Sequence, residues 1–191
     1  MAGQSTFLEE LMAAGRGVFG LLVGDKKAGS YFDFSRRGLY GSLVAIVLII
    51  ALGAALPLIL SSDHDPFGVS AVQLVIIYAA PFLFGVLVLR QNKRMDALVP
   101  FLVGYNWANF FGTLILEALQ AAGIGGGLPV IVIGIALILV EVNIARFVMN
   151  LAPLQIAALL VAQIVGICVA SLLLLWMFPP SADAVAQLAG S

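Results

Sequence analysis

The sequence predicts an all-α, polytopic transmembrane helix bundle of five spans, with its N-terminus cytoplasmic, its C-terminus outside and an amphipathic interfacial helix ahead of the first span. Three observations carry this. Of the 191 residues, 62% are hydrophobic and only 10% charged, with a mean hydropathy of +1.13, whereas soluble domains carry roughly 25% charged residues. A fold of this size cannot hide so much apolar surface from water, so the bilayer is the solvent. Five uninterrupted apolar stretches are each long enough to cross about 30 Å of hydrocarbon. Finally, the nine lysines and arginines fall on alternate connections between those stretches.

The arm, residues 1–37, comes first. Met1 to Glu10 lack a basic start, an apolar core and a small-residue cleavage site, so a removable signal peptide is not expected. Thr6, Phe7, Leu8 and Glu9 form a capping-box pattern. Leu8, Leu11, Met12, Gly15, Phe19 and Leu22 then recur at helical spacing. This predicts an amphipathic helix from Phe7 to about Val23, ended by Gly24 and Asp25 and lying on the cytoplasmic leaflet.

The transmembrane domain, residues 38–178, holds spans near Gly38 to Leu60, Val69 to Leu89, Ala97 to Leu116, Gly125 to Phe147 and Ala152 to Phe178. Leu43 to Leu60 contains no charge and no alternation of polarity, which excludes a β-barrel strand pattern. Arg16, Lys26, Lys27, Arg36 and Arg37 precede span one, Arg90, Lys93 and Arg94 link spans two and three, and Arg146 ends span four. The opposite side, Ser61 to Gly68, Glu117 to Ile124 and the short tail 179–191, has no basic residue. Basic residues are retained on the cytoplasmic side, which sets the orientation, and the polarity suits a bacterial cytoplasmic (inner) membrane. Anionic lipid headgroups would attract the cytoplasmic charges at about 1 kcal/mol each, although ordinary topology-setting charge is the better explanation of them.

Polar residues inside the spans are the candidate site. Asn106, Asn109, Thr113 and Glu117 fall at i, i+3, i+7 and i+11, one stripe within roughly 80° of helical arc. Such a stripe either hydrogen-bonds across the bundle or lines a solute path. Glu141, Asn143, Arg146 and Asn150 cluster near the cytoplasmic end of span four. Asn143, Arg146 and Asn150 share a face, and Arg146 can snorkel to the headgroups. Glu141 lies deeper, about 140° around the helix from Arg146, and is the foremost candidate for a functional ionisable group.

Span five is notable for lack of bulk. Ala158, Ala162, Gly166 and Ala170 repeat every four residues, a small-xxx-small stripe that lets another helix, of this chain or of a second copy, approach closely. Gln155 and Gln163 on the same span ask for polar partners. Pro57, Pro81 and Pro100 are candidate kinks, without the inverted repeat of many transporters.

Other chemistries find little footing. Cys168 is the lone cysteine, which precludes an intrachain disulfide. Asp63, His64 and Asp65 could offer three metal ligands, but adjacent residues rarely converge on one ion; Asp65 with Pro66 reads better as the N-cap and first turn of span two. No metal and no cofactor is expected. Gly123 to Gly127 lacks the Lys-Ser/Thr of a phosphate loop, no nucleophile–base pair appears, and nothing suggests nucleic-acid binding.

The layout and two local motifs resemble the Yip1-domain membrane proteins. Gly38-Leu39-Tyr40-Gly41-Ser42-Leu43 is similar to that family's Asp-Leu-Tyr-Gly-Pro motif, with Gly38 and Ser42 replacing the acid and the proline, and Gly104-Tyr105 is similar to its Gly-Tyr. The likeness extends loosely over residues 30–178. The long hydrophilic N-terminal region of eukaryotic members is missing, so their association with small GTPases is not carried over. The resemblance implies a small non-enzymatic membrane protein that shapes membrane or assists partners.

The expected function is therefore a non-catalytic structural, lipid-interacting or partner-binding membrane protein. The lipid bilayer is the partner, with anionic lipids at the cytoplasmic face and a homo-oligomer or a membrane-protein partner left open. The alternative is a small-solute or ion transporter or channel using the stripe of span three and Glu141. A closed bundle that buries the Asn106 stripe, Gln163 and Glu141 against one another favours the first; a polar, water-open cavity favours the second.

Overall fold

A computed structural model describes residues 6–60 and 66–179. Its helices are α1 (Phe7–Leu22), α2 (Arg36–Leu60), α3 (Phe67–Gln91), α4 (Leu98–Ala121), α5 (Gly127–Asn143) and α6 (Pro153–Met177). Short 3-10 turns at Ala28–Tyr31 and Met95–Ala97 lead into α2 and α4, and a π-helical turn at Ile144–Val148 ends α5. Five of these segments are long and apolar enough to span a membrane. The chain is an all-α, five-span membrane protein. The loop bearing Asp63, His64 and Asp65 lies outside the described residues, as does the tail beyond Pro179; α3 begins at Phe67, flanked by Pro66.

Helix α4 is the centre of the bundle. Its most apolar stretch is 39% buried, against 17 to 22% for the other four spans. Helix α2 runs parallel to it in register. Ser42 meets Asn106, and a methyl added at Gly53 would sit 3.2 Å from Glu117 Oε1. Helix α5 runs antiparallel on another side, with Leu137 covering Gly112 and Ile144 covering Gly104. Helix α6 packs chiefly on α3.

The small residues of α6 find their partner within the chain. A Cβ at Gly166 would lie 2.7 Å from Pro81 Cα, so the two backbones are in contact. The buried face runs Leu159, Gln163, Gly166 and Ala170, while Ala158 and Ala162 are only half-buried beside it. Pro81 helps make this fit: its flat ring surface carries no N–H that a closely apposed backbone would leave unpaired. Gln155 serves its own helix, its Oε1 accepting from Ala152 N at 3.0 Å.

The arm forms its helix over Phe7–Leu22. The capping box forms as the sequence indicated, Glu9 N donating to Thr6 Oγ1 at 3.3 Å and Thr6 N to Glu9 Oε2 at 2.7 Å. Against the rest of the protein α1 buries Ala14, Gly17, Gly20 and Leu21, while Leu8, Met12 and Phe19 are more than half exposed. Gly17 and Gly20 let the arm fold back on itself, against Phe32 and Ala28. Phe7 meets the Trp107 ring at 6.2 Å, Phe111 lies under Gly15, and Asn143 Nδ2 donates to Leu21 O at 2.7 Å. Helix α1 is thus seated across α4 and α5.

The cytoplasm-assigned connections meet at one end of the bundle. Gly29 lies against Val148, and Arg94 donates to Met149 O at 2.7 Å and to Asn150 O at 3.2 Å while pairing with Asp96. Those last carbonyls of the α5 segment would otherwise lack donors.

Candidate functional site

A cavity of about 250 Å³ opens where the α3–α6 pair diverges from the α4–α5 pair. Phe101, Tyr105 and Leu159 form much of its floor, and Gly134, Ile138 and Ile167 its rim. Ile138 and Ile167 are each about half exposed, so the opening is lateral, towards the hydrocarbon side of the helices. Four polar residues reach this otherwise apolar space: Tyr105, Asn109, Glu141 and Gln163.

Glu141 and Gln163 are joined across it. Gln163 Nε2 donates to Glu141 Oε1, tying α6 to α5. Gln163 is 4% exposed, and its own Oε1 is buried without a hydrogen-bond partner. Asn109 gives an N–H to Tyr105 O at 2.8 Å, the carbonyl one turn earlier. The Tyr105 hydroxyl donates to Tyr78 O at 3.4 Å, directing its proton away from the cavity. Among the described residues, no lysine or arginine pairs with Glu141; the ion pair they form is Arg94–Asp96.

The stripe of span three does not act as a unit. Asn106 is buried and donates to Ser42 Oγ at 3.1 Å on the α2 side. Asn109 faces the cavity, and Thr113 shares a hydrogen bond with Tyr78 of α3. Glu117 lies beside Gly53. A central helix touches a different neighbour every 60 to 100° of its circumference, so residues within one arc part company. The closed arrangement expected of the stripe, Gln163 and Glu141 is therefore divided, with Asn106 in one contact and Glu141, Gln163 and Asn109 in another.

The Asn143 cluster also separates. Asn143 is spent on Leu21, while Arg146 is exposed with its guanidinium 5.3 Å from the Phe147 ring centre. Asn150 lies past the helix end at φ 52°. The π-helical turn at Ile144–Val148 breaks the 3.6-residue register on which the shared face rested. Tyr78 and Ser42, the partners of Thr113 and Asn106, are polar contacts that sequence patterning did not single out as such. Their signal is weak, a lone hydroxyl within an apolar run.

The residues that carried the family likeness have packing reasons of their own. A Cβ at Gly38 would fall 1.9 Å from Asp33 O, one at Gly41 would fall 2.3 Å from Glu10 Oε1, and one at Gly104 would meet Ile144 at 2.8 Å. Among the described residues, no group of three or more His, Cys, Asp or Glu side chains is placed to hold a metal ion. Compared with protein-family models, with curated proteins and with solved structures, the chain matches none.

Proposed function

We propose that the chain is a non-catalytic, lipid-interacting membrane protein whose lateral cavity receives the end of a membrane amphiphile. The observation that carries this is the cavity itself: an apolar chamber with a rim of Gly134, Ile138 and Ile167 at the lipid-exposed side of the helices, and a small polar cluster at its base. Ligand sites combine mainly apolar walls with a few convergent polar groups. The likeness to Yip1-domain proteins agrees with a non-enzymatic role, and it rests on the five-span layout and the short motifs at Gly38 and Gly104.

The orientation belongs to the same proposal, with the arm, the α3–α4 link and the α5–α6 link cytoplasmic and α1 at the leaflet boundary. Its support is the exposure of Lys26, Lys27, Arg36, Arg37, Arg90, Lys93 and Arg146 around one end of the bundle. That arrangement fits a bacterial cytoplasmic membrane and anionic headgroups.

Photoreactive lipids with a chain-borne diazirine, incorporated into vesicles with the protein, test the lipid reading. Labelling concentrated on α5 and α6 near Ile138 and Ile167 and reduced by Gly134→Trp is the expected outcome. Uniform labelling around all helices would refute it. Solute flux through proteoliposomes abolished by Glu141→Ala would instead establish the transporter alternative.

A further inference from the structure

The polar base of the cavity holds acceptors that the chain leaves incomplete. Glu141 brings a carboxylate with no basic partner among the described residues, and Gln163 Oε1 is a buried acceptor that nothing satisfies. With Glu141 ionised, turning the Gln163 amide over would set its oxygen against the carboxylate. Tyr105, the nearest hydroxyl among the lining residues, commits its proton to Tyr78 O. A buried acceptor without a donor costs about 1 to 3 kcal/mol, and an unpaired buried charge costs more. What would complete this site is a ligand that brings donors and positive charge.

Two further features agree. The rings of Phe101 and Tyr105, with centroids 5.6 Å apart, line the same space, and aromatic faces attract cations. The volume, about 250 Å³, falls just below the roughly 300 to 1,000 Å³ of drug-sized sites. It suits a headgroup and the first methylenes of a chain that leaves between Ile138 and Ile167.

We propose that the cavity binds the primary ammonium end of a single-chain aliphatic amine, Glu141 pairing with the charge and Gln163 Oε1 accepting an N–H. This rests on the lipid-interacting reading above and specifies its ligand class. A quaternary ammonium keeps the charge but has no N–H for Gln163. A fatty alcohol keeps a donor but has no charge for Glu141. A fatty acid places a second carboxylate against the first.

The test uses the full chain in nanodiscs of uncharged lipid, with empty nanodiscs as the partition control. Binding of dodecylamine, dodecyltrimethylammonium, dodecanol and dodecanoic acid is measured by equilibrium dialysis and native mass spectrometry. Saturable binding of one dodecylamine per chain is expected, weakened about tenfold or more by Glu141→Gln and severalfold by Gln163→Leu, as for loss of charge-assisted hydrogen bonds. Dodecyltrimethylammonium should bind more weakly than dodecylamine, and the other two more weakly still. If dodecanol or dodecanoic acid binds as tightly as the amine, the ammonium assignment falls and the lipid-interacting reading stands. If none of the four binds saturably, both fall. Should Glu141→Gln not fold, the ranking of the four ligands on the wild-type chain decides by itself.

Discussion

Asn106 on α4 donates a hydrogen bond from Nδ2 to Ser42 Oγ on α2, with 3.1 Å between the two atoms, and both side chains are buried. The Ser42 hydroxyl hands its own proton to Leu39 O at 2.9 Å, so its lone pairs are free to accept. This contact pins the parallel register of the two helices. Ser42→Ala and Asn106→Leu should each destabilise the bundle by about 0.5 to 2 kcal/mol, with a coupling near 0.6 kcal/mol in the double variant. Reversible unfolding in mixed micelles measures it; strictly additive losses would show that the pair does not interact.

Gly166 is where α6 meets the backbone of α3. Any side chain there drives the helices apart, since even a methyl would sit 2.7 Å from Pro81 Cα. Gly166→Val should cost about 1 to 3 kcal/mol, the usual penalty for overpacking. Gly134→Ala is the control, because a methyl added there would meet no atom within 4 Å, and its melting temperature should match the parent's.

Arg94 supports the turn between α5 and α6 through the carbonyls of Met149 and Asn150. Arg94→Ala should speed amide exchange across the 149–155 turn and cost about 1.5 to 3 kcal/mol, the range for bonds to a charged donor. Arg94→Lys should recover little, since one ammonium cannot reproduce the planar fork that spans two carbonyls and Asp96. Full recovery with lysine would reduce the role of Arg94 to charge alone.

Docking of α1 should depend on pH through Glu10. Its carboxyl is held above the ordinary 4.5, first by burial and then by Asp33, with Arg37 pulling the other way. The seated form therefore binds more protons than the detached form between 4.5 and the raised value, and docking weakens as pH rises through that window. Asp33 works in the opposite sense: its bonds from Ser35 hold its carboxyl below the ordinary 3.8, so its contribution is lost only as pH falls further. Protection of the α1 amides, after correction for the intrinsic fall of exchange with pH, should increase as pH is lowered towards 4.5, and Glu10→Gln should flatten that slope. An unchanged slope in the variant would assign the effect elsewhere.

Hydropathy made the five spans legible because each helix had to be apolar over its whole length to cross a bilayer. The Thr6–Glu9 cap was equally legible, being purely local. Faces were harder. Periodicity placed Asn106, Asn109 and Thr113 on one arc of α4, but which neighbour each meets is set by helices distant in sequence. On α1 the buried side includes Gly17 and Gly20 as well as Leu21, because Phe32 and Ala28 fold back onto the two glycines, a contact that helical periodicity does not announce. Glu141 stood out because an acid in an apolar run is costly. Its grouping with Gln163 was anticipated from their shared need of polar partners, but that the two meet directly across the cavity, apart from Asn106, is set by the packing of distant helices.

The seating of α1 also bears on how the protein is made. Synthesis delivers α1 before the spans it rests on: Trp107 and Phe111 arrive with the third span, and Asn143, which holds Leu21, with the end of the fourth. Gly17 and Gly20 are covered early, by Phe32 and Ala28 of the turn that follows, but the contacts of Phe7, Gly15 and Leu21 must wait. A nascent chain halted before Gly127 therefore carries an α1 that cannot complete its contacts, and an obstruction fused at the N-terminus would act on the last stage of assembly. A helix made ahead of the spans is among the last to complete its contacts.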